Sequence, residues 1–547
     1  MKRVRSFSAL AITTASVVML ISAVAVIFAQ DREYGDKPQQ TSESKRSGPS
    51  ASGSSRGSVR AMDVVSYPTP TPTDSQFVYD TPYPAGHCQF RSEGSLKFTI
   101  PITRFVGQTN GDGKLTNPQA LINNGIISPT VTLTMPAYDV DYSTVTFPPD
   151  QPERDRVLFN GEFIGDLGAD GYLDGENNRW RMNTFNVPVS AVKFAQRDPG
   201  GGPPNPGLNE IEILIDQGNI ANNKELWCTS IDWGAIKVNA LYPMVMLHGN
   251  GEDGTFWNRT GFTGPLAAAG IPIDISVSNG TNSIATNAGK LVTKIPAIAQ
   301  KFGVKHLHLV AHSKGGLDSR GFLKTLKSEG QLAILSMTTL STPHHGSALA
   351  DYIIAAQGAS AWSSDDTVRT FFFQNFAGDP DAGRRDLTTT EVSKFNGQNL
   401  PLPQSFTVDG ETTQVKYFSW GADANADNSM SLLGNPTISN QELAGTGHDN
   451  LWYLSEWGGN LVYRTLYYVA SARWESVIVG GNFVRVVRET QNQTVQPNDM
   501  LVTITSSKID PYVPMTDMKK NHATVADSEM GQLVLQLIKT IQPLPQQ

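Results

Sequence analysis

The stretch of this 547-residue chain best equipped for chemistry is Val310-Ala311-His312-Ser313-Lys314-Gly315-Gly316. An apolar, β-prone run leads into it and a helix-like segment follows. A serine hydroxyl is a weak nucleophile until a base takes its proton and donors hold the oxyanion that its attack creates. A sharp strand-to-helix turn lifts such a serine clear of a sheet, and only small neighbours fit so tight a turn. Ala311, Gly315 and Gly316 meet that demand, and the turn aims the Lys314 amide at the reacting oxygen. Upstream, Met246-Leu247-His248-Gly249-Asn250-Gly251 closes a buried strand, where a second backbone donor is expected. The amides of Asn250 and Lys314 are therefore the candidate oxyanion pair. The plainer alternative for the upstream stretch is an ordinary glycine turn.

A nucleophilic serine needs a base, and the base needs an orienting acid. Of the 9 histidines, His306 and His308 sit on the strand below the turn, and His312 faces the wrong way for a base. His344 and His345 follow a later strand, and His448 lies in a glycine-rich loop. A strand–turn–helix serine carries its partners in the chain order serine, acid, histidine. That order points to His522, in Lys520-Asn521-His522-Ala523, just ahead of an amphipathic run over 530–538. Two acids precede it at reasonable places, Asp423 after a strand-like run and Asp499 in Pro497-Asn498-Asp499-Met500, with Asp510 a distant third.

These groups need a scaffold to converge. After residue 241 strand-like and helix-like runs alternate, the mark of a parallel sheet with helical crossovers. Residues 244–247, 306–310, 332–340 and 415–420 read as strands. Leu291, Ile295, Ile298 and Phe302 recur at helical spacing, and Pro296 among them is expected to kink that helix or end it early. From about 77 to 240 the signals are short strands, at 95–100, 130–134, 157–159 and 210–215, separated by turns such as Asn110-Gly111-Asp112-Gly113 and Pro199-Gly200-Gly201-Gly202. Residues 157–165 read as a hairpin bent at Asn160-Gly161. The expected fold is thus α/β over 241–547, preceded by an all-β sandwich accessory domain, jelly-roll-like, over 77–240. Trp180, Trp227 and Trp233 would form either a sugar-binding face or, the favoured reading, core. Asp112, Asp166, Asp170 and Asp174 lie near glycines but miss the spacing of a calcium loop, so Asp-Gly turns are expected.

The remaining sequence speaks to placement. Lys2, Arg3 and Arg5 precede an apolar run over 9–28 and the small Ala29, the pattern of a signal peptide over 1–30, with a retained anchor as the alternative. Residues 31–76 are rich in Ser, Gly and Pro and read as a disordered linker. Outside the cytoplasm the chain's two cysteines, Cys88 and Cys228, are expected to form one disulfide. A net charge of −8 with no basic stripe argues against a nucleic-acid partner.

Residues from about 241 to 540 resemble the bacterial secreted triacylglycerol lipases, with a lipase box of the Ala-His-Ser-x-Gly type. The resemblance is carried by Gly315-Gly316-Leu317-Asp318-Ser319-Arg320, Thr342-Pro343-His344-His345-Gly346-Ser347 with Ala350-Asp351-Tyr352, Asp386-Leu387-Thr388-Thr389 with Phe395-Asn396, Tyr417-Phe418-Ser419-Trp420, Asn498-Asp499 and Asn521-His522. It implies an α/β-hydrolase domain with Ser313, Asp499 and His522 as triad, and Asn250 and Lys314 as oxyanion donors. Three positions depart from the pattern. Ala311 stands where many members have glycine, Met500 replaces a glycine after the acid, and Thr524 stands where the family often has an acidic calcium ligand. No metal is carried over; Asp527 or Asp449 could substitute as ligands, but nothing in the sequence supports it. Residues 353–387, with Ala361-Trp362 and Phe371-Phe372-Phe373, read as a lid or acyl-binding rim or else as a buried cap helix. Residues 471–494 and the β-region have no counterpart.

The expected function is that of a secreted serine ester hydrolase that needs no cofactor and acts on a lipid, with triacylglycerol first. A polyester or polyhydroxyalkanoate depolymerase, or a carboxylesterase, is the alternative. A non-catalytic surface binding protein is a remote one. The β-module is a candidate for holding a carbohydrate or polymer surface.

Overall fold

The computed structural model describes residues 68–81, 88–138, 154–168, 180–218, 228–275, 279–347, 350–351, 354, 382–423, 469–479, 482–491, 498–499 and 501–545. The expected signal peptide, most of the linker, Trp227, Asp170, Asp174, His448, Asp449, Met500 and the aromatic stretch within 355–381 lie outside the described residues. All described residues belong to one compact unit, Ala61–Gln547.

The first strands are β1 (Gln76–Asp80), β2 (Leu96–Ile102), β3 (Thr130–Tyr138), β4 (Arg156–Phe159), β5 (Glu162–Asp166), β6 (Trp180–Pro188), β7 (Gly207–Leu214), β8 (Ser230–Ile231) and β9 (Trp233–Lys237). They make two antiparallel sheets, ordered β1-β9-β3-β6 with β8 beside β3, and β2-β7-β4-β5. Alternation explains both: β7 buries Gly207, Asn209, Ile211 and Ile213 while Leu208 and Glu210 face out. The sheets meet through their side chains. Tyr79 and Phe98 stack with ring centroids 6.3 Å apart, and a Cβ on Gly234 would fall 2.6 Å from Phe98. The Asn-Gly bend joins β4 to β5 with φ of 50° at Asn160 and 83° at Gly161, the left-handed pair a two-residue hairpin requires. Cys88 and Cys228 are joined as a disulfide. Trp233 is buried, and Trp180 packs against Tyr138 with centroids 5.3 Å apart.

From β10 (Met244–Leu247) the sheet is parallel, with β11 (Ile273–Asp274), β12 (His306–His312) and β13 (Ala333–Leu340). The hairpin of β14 (Ser405–Val408) and β15 (Glu411–Gln414) precedes β16 (Lys416–Trp420). A second hairpin, β17 (Val469–Val479) with β18 (Asn482–Gln491), precedes the short β19 (Val513–Pro514). The parallel order is β11-β10-β12-β13-β16-β19, so the strand leading into Ser313 is central and wholly buried. Such strands read as continuous apolar runs because both faces are covered.

The helix Ile284–Phe302 runs through Pro296, so of the two outcomes expected there, a kink or an early end, the early end does not occur. Leu291, Ile295, Ile298 and Phe302 are buried on one face, while Pro296 and Val292 lie exposed on the other. The carbonyl freed by the missing proline N–H is that of Val292, on the solvent side, and burial of the apolar face outweighs one lost bond.

The antiparallel and parallel halves share one core. A single apolar cluster extends from Phe77 and Leu133 through Met246 and Val310 to Val534 and Ile538. At the seam the Phe105 amide donates to the Phe302 carbonyl at 2.9 Å, and the buried Arg104 donates to the Ala240 and Leu241 carbonyls at 2.8 and 2.9 Å. The Arg104 guanidinium lies 4.1 Å from the centre of the Tyr242 ring. Asp74 accepts from the Tyr242 hydroxyl (2.7 Å), the Lys305 amide (2.6 Å) and His306 Nδ1 (3.0 Å). Burial alone would raise the Asp74 pKa; His306, Arg104 and the Lys305 amide more than offset it and hold it at about 2. The stretch read as linker up to residue 76 is therefore part of the folded unit by Asp74, because that carboxylate has a built receptor.

Candidate active site

Strand β12 ends at His312, and the helix Lys314–Thr325 starts two residues later. Ser313 between them has φ 53° and ψ −131°, a left-handed backbone that costs a non-glycine residue of order 1–3 kcal/mol. Its amide donates to the Leu340 carbonyl at 2.9 Å, and its carbonyl accepts from Gly316 at 3.1 Å. The turn has no room around it. A Cβ on Gly315 would sit 2.5 Å from the Leu247 oxygen and 2.6 Å from that of His248. A Cβ on Gly249 would sit 2.7 Å from Ser313 Cβ and 3.1 Å from its Oγ. One on Gly316 would collide with Thr342. Ala311 is fully buried between Leu247 and Thr339, its neighbours on the flanking strands, so the methyl that departs from the family pattern is absorbed into the core.

His522 and Asp499 are tied twice. His522 Nδ1 lies 2.8 Å from Asp499 Oδ2, and the His522 amide donates to the Asp499 carbonyl at 2.8 Å. The other carboxylate oxygen, Oδ1, accepts from the amides of Leu501 (3.0 Å) and Val502 (2.7 Å). Both residues are buried. A proton on Nδ1 shared with a carboxylate leaves Nε2 as the basic nitrogen, the tautomer a general base needs. Asp423, the other candidate acid, donates its amide to the Met518 carbonyl in the edge region near β19.

The segments that carried the family resemblance pack on one another. Ser347 Oγ donates to the Leu501 carbonyl at 2.7 Å, which braces the loop after Asp499. Asp351 accepts from the Thr389 amide (2.9 Å) and hydroxyl (2.7 Å). Arg320, fully buried, donates to His344 Nδ1 (3.2 Å) and Asn396 Oδ1 (2.7 Å), while Asn396 donates to the His344 carbonyl (2.8 Å). Burial, with Arg320 beside it, pushes the His344 pKa well below the ordinary value. His344 is thus a neutral scaffold residue.

Lys314 is the first residue of its helix, where backbone amides have no partner within the helix. Its ammonium is buried and lies 3.0 Å from both oxygens of Asp318, which also accepts from Asn287 at 2.7 Å. Burial raises the Asp318 pKa to about 6, against the pull of Lys314 and Asn287. Gly383 closes the same corner: a Cβ there would strike Asn250 Oδ1 and lie 3.0 Å from Lys314 Cε. The side chains of the two proposed oxyanion residues therefore converge on one glycine. Sequence reasoning missed this pairing, although a lysine and an aspartate four apart on a helix are a legible signal. It also missed the bond between His312 Nε2 and the His522 carbonyl, 2.7 Å long, which no spacing foretells.

Among the described residues no group of three acidic, histidine or cysteine side chains could hold a metal. Thr524 bonds locally to Asn521, and Asp527 caps the helix Ser528–Ile541 and pairs with Lys520.

No family model matches the chain. A triacylglycerol lipase of Pseudomonas fragi is 26% identical over 200 residues, covering 34% of this chain and 67% of that one. Triacylglycerol lipase 2 of Saccharomyces cerevisiae is 43% identical over 133 residues, 24% of this chain and 34% of its own length. A Vibrio cholerae triacylglycerol lipase is 26% identical over 261 residues, 42% of this chain and 80% of that one. Among solved structures, the mature lipase of Bacillus licheniformis aligns over 55% of this chain and 92% of that one, at 19% identity and a TM-score of 0.33. The chain is similar to triacylglycerol lipases of several bacteria, as its motifs led us to expect.

Proposed function

We propose that this chain is a carboxylic ester hydrolase that works through an acyl-enzyme on Ser313. The observation that carries the reading is the doubly tied His522–Asp499 pair, together with a strained strand-to-helix serine, Ser313, that has glycine packed against its hydroxyl. His522 Nε2 takes the Ser313 proton as Oγ attacks the ester carbonyl. Asp499 keeps the ring in the right tautomer and steadies its charge. The amides of Asn250 and Lys314 hold the tetrahedral oxyanion, and the imidazolium then protonates the leaving alcohol. Water repeats the sequence to free the acid. The similarity to triacylglycerol lipases favours a lipid ester as substrate, and the basic residues followed by the apolar run over 9–28 support export. Among the described residues no helix is long and apolar enough to cross a membrane.

We read the two antiparallel sheets as a sandwich-type accessory module. Ser313→Ala, assayed on p-nitrophenyl butyrate, emulsified tributyrin and polyester film, tests the reading. Loss of on the order of 10⁴-fold in kcat or more is expected, from what removal of a serine nucleophile costs. Wild-type activity in the variant would sink it. Preference for the emulsion over the film separates a lipase from a depolymerase.

A further inference from the structure

His312 is the residue before the nucleophile, and its ring does not point toward the substrate side. It is buried, stacked on Phe256 with centroids 4.7 Å apart and planes 18° apart, and set edge-on to Trp257 at 6.5 Å. The third ring against it is that of His522, at 4.7 Å and 49°. His312 Nε2 lies 2.7 Å from the backbone oxygen of His522, 210 residues away in sequence. A carbonyl only accepts, so Nε2 carries the proton and donates. Nδ1 is then a bare nitrogen, buried without a hydrogen-bond partner on the Gly249 side of the ring.

His522 sits in irregular chain between β19 and the short turn Thr524–Ala526. No strand ladder or helix holds its peptide. Its ring is held by Asp499 Oδ2 and its amide by the Asp499 carbonyl, which leaves the carbonyl end to His312.

We propose that His312 is a positioning residue for the general base, fixing the His522 backbone so that its imidazole faces Ser313. The proposal rests on the ester-hydrolase reading. One residue then does two jobs: its ring donates to the base, and its own carbonyl-side neighbour is the nucleophile. Movement of the elbow carries both partners together. Burial, and then the neighbouring His522 and His248, keep the imidazole neutral, with its pKa well below the ordinary value. A neutral donor suits the place. A cation there would oppose the positive charge His522 must take up when it accepts the serine proton. Misplacement of a catalytic group by about 1 Å costs roughly 10²-fold in rate, which sets the size of the expected effect.

Three substitutions in the full chain separate the donor from the ring. In His312→Gln the amide nitrogen reaches the place of Nε2. In His312→Asn it reaches only the place of Nδ1. His312→Phe keeps the ring and the stack on Phe256 and removes the donor. Rates on p-nitrophenyl butyrate are expressed per site labelled by a fluorophosphonate, so a partly folded preparation does not distort them. The Gln variant is expected within about five-fold of wild type, and the Asn and Phe variants are expected to lose on the order of 10²-fold in kcat with KM unchanged, by the same misplacement argument. The acid limb of kcat/KM should shift only in the latter two. Equal kcat in all variants, or a Gln variant as poor as Phe, overturns the role of His312. Ser313→Ala measured alongside keeps the failures apart. If it retains activity, the hydrolase reading falls and takes this one with it. If it is dead while the His312 series is flat, only this proposal falls.

Discussion

Asp499 holds His522 at both the ring and the main chain, through Oδ2 to Nδ1 and through its carbonyl to the amide, each at 2.8 Å. A carboxylate that accepts one bond from the base and two from the amides of Leu501 and Val502 cannot turn away without leaving a buried charge unpaired. The orientation of the Asp499 carboxylate and the position of the His522 ring are set by the same contacts.

Asp499→Asn should therefore damage catalysis out of proportion to its size. The amide presents a donor to Nδ1 or leaves it unpaired, and the ring loses the tautomer it needs. A fall of roughly 10³- to 10⁴-fold in kcat is expected by analogy with other serine triads, with KM little changed. Asp423→Asn, which alters the rival acid, should stay within about two-fold, since additivity leaves uninvolved sites nearly neutral. Steady-state kinetics on both variants decide; a larger loss for Asp423 would reverse the assignment.

Gly249→Ala tests the space around the nucleophile. Its new Cβ would meet Ser313 Cβ at 2.7 Å, closer than real Cβ contacts come, and Oγ at 3.1 Å, tighter than most. The hydroxyl must shift or the strand end must yield. The rate of fluorophosphonate labelling should drop about 10²-fold, the size expected of a misplaced nucleophile. Labelling at the wild-type rate would mean that this loop gives way easily.

Asp155 sets a pH dependence of stability in the β-half. Burial raises its pKa to about 6, despite the Thr229 hydroxyl and the Asp216 amide that donate to it, and the charges of Asp216 and Asp166 add to the rise. A raised carboxyl pKa means the folded form holds a proton that the unfolded form has released. Its contribution is complete below about pH 4 and is lost as pH rises through 6. From 3.8 to about 6 is about two pKa units, or roughly 3 kcal/mol. Urea denaturation at pH 4.5 and pH 7 should show a smaller difference in Asp155→Asn than in wild type. A larger difference in the variant contradicts the sign.

The disulfide closes a loop of 140 residues between Cys88 and Cys228. Loop entropy puts its worth at up to about 5 kcal/mol, and measured losses of native disulfides run at roughly 2–5. Because the core is continuous, the cost should fall on the whole unit. Calorimetry of the disulfide-bonded protein should give one transition, and Cys88→Ser with Cys228→Ser should move that transition down intact. Two separate transitions, with only the first displaced, would contradict the shared core.

The catalytic half was legible because its cues are local. The expected strand over 244–247 is β10, and those over 306–310, 332–340 and 415–420 differ from β12, β13 and β16 by one or two residues at their ends. Glycines around Ser313 announce a turn that only a small residue fits. The seam between the halves left no such trace. Asp74 looked like the tail of a polar linker because its partners, Tyr242 and His306, are 168 and 232 residues away. Arg104 is an ordinary arginine until the Ala240 and Leu241 carbonyls are brought to it. The His312 bond to the His522 backbone oxygen requires no complementary residue type and so writes nothing into the sequence. Pro296 does not end its helix because the buried apolar face outweighs one lost bond.

Gly303 follows the helix Ile284–Phe302 with φ of 64°, and the place of its missing Cβ is taken by the Thr103 carbonyl. The crossover that feeds the strand before Ser313 is thus moulded against main chain from the other half. A gene fragment encoding 241–547 alone would present that mould empty, with the Phe105 amide gone from the Phe302 carbonyl and the Arg104 donor gone from the Leu241 carbonyl. Moving residues 241–547 onto another scaffold requires a new front end that supplies the same backbone contour at Thr103.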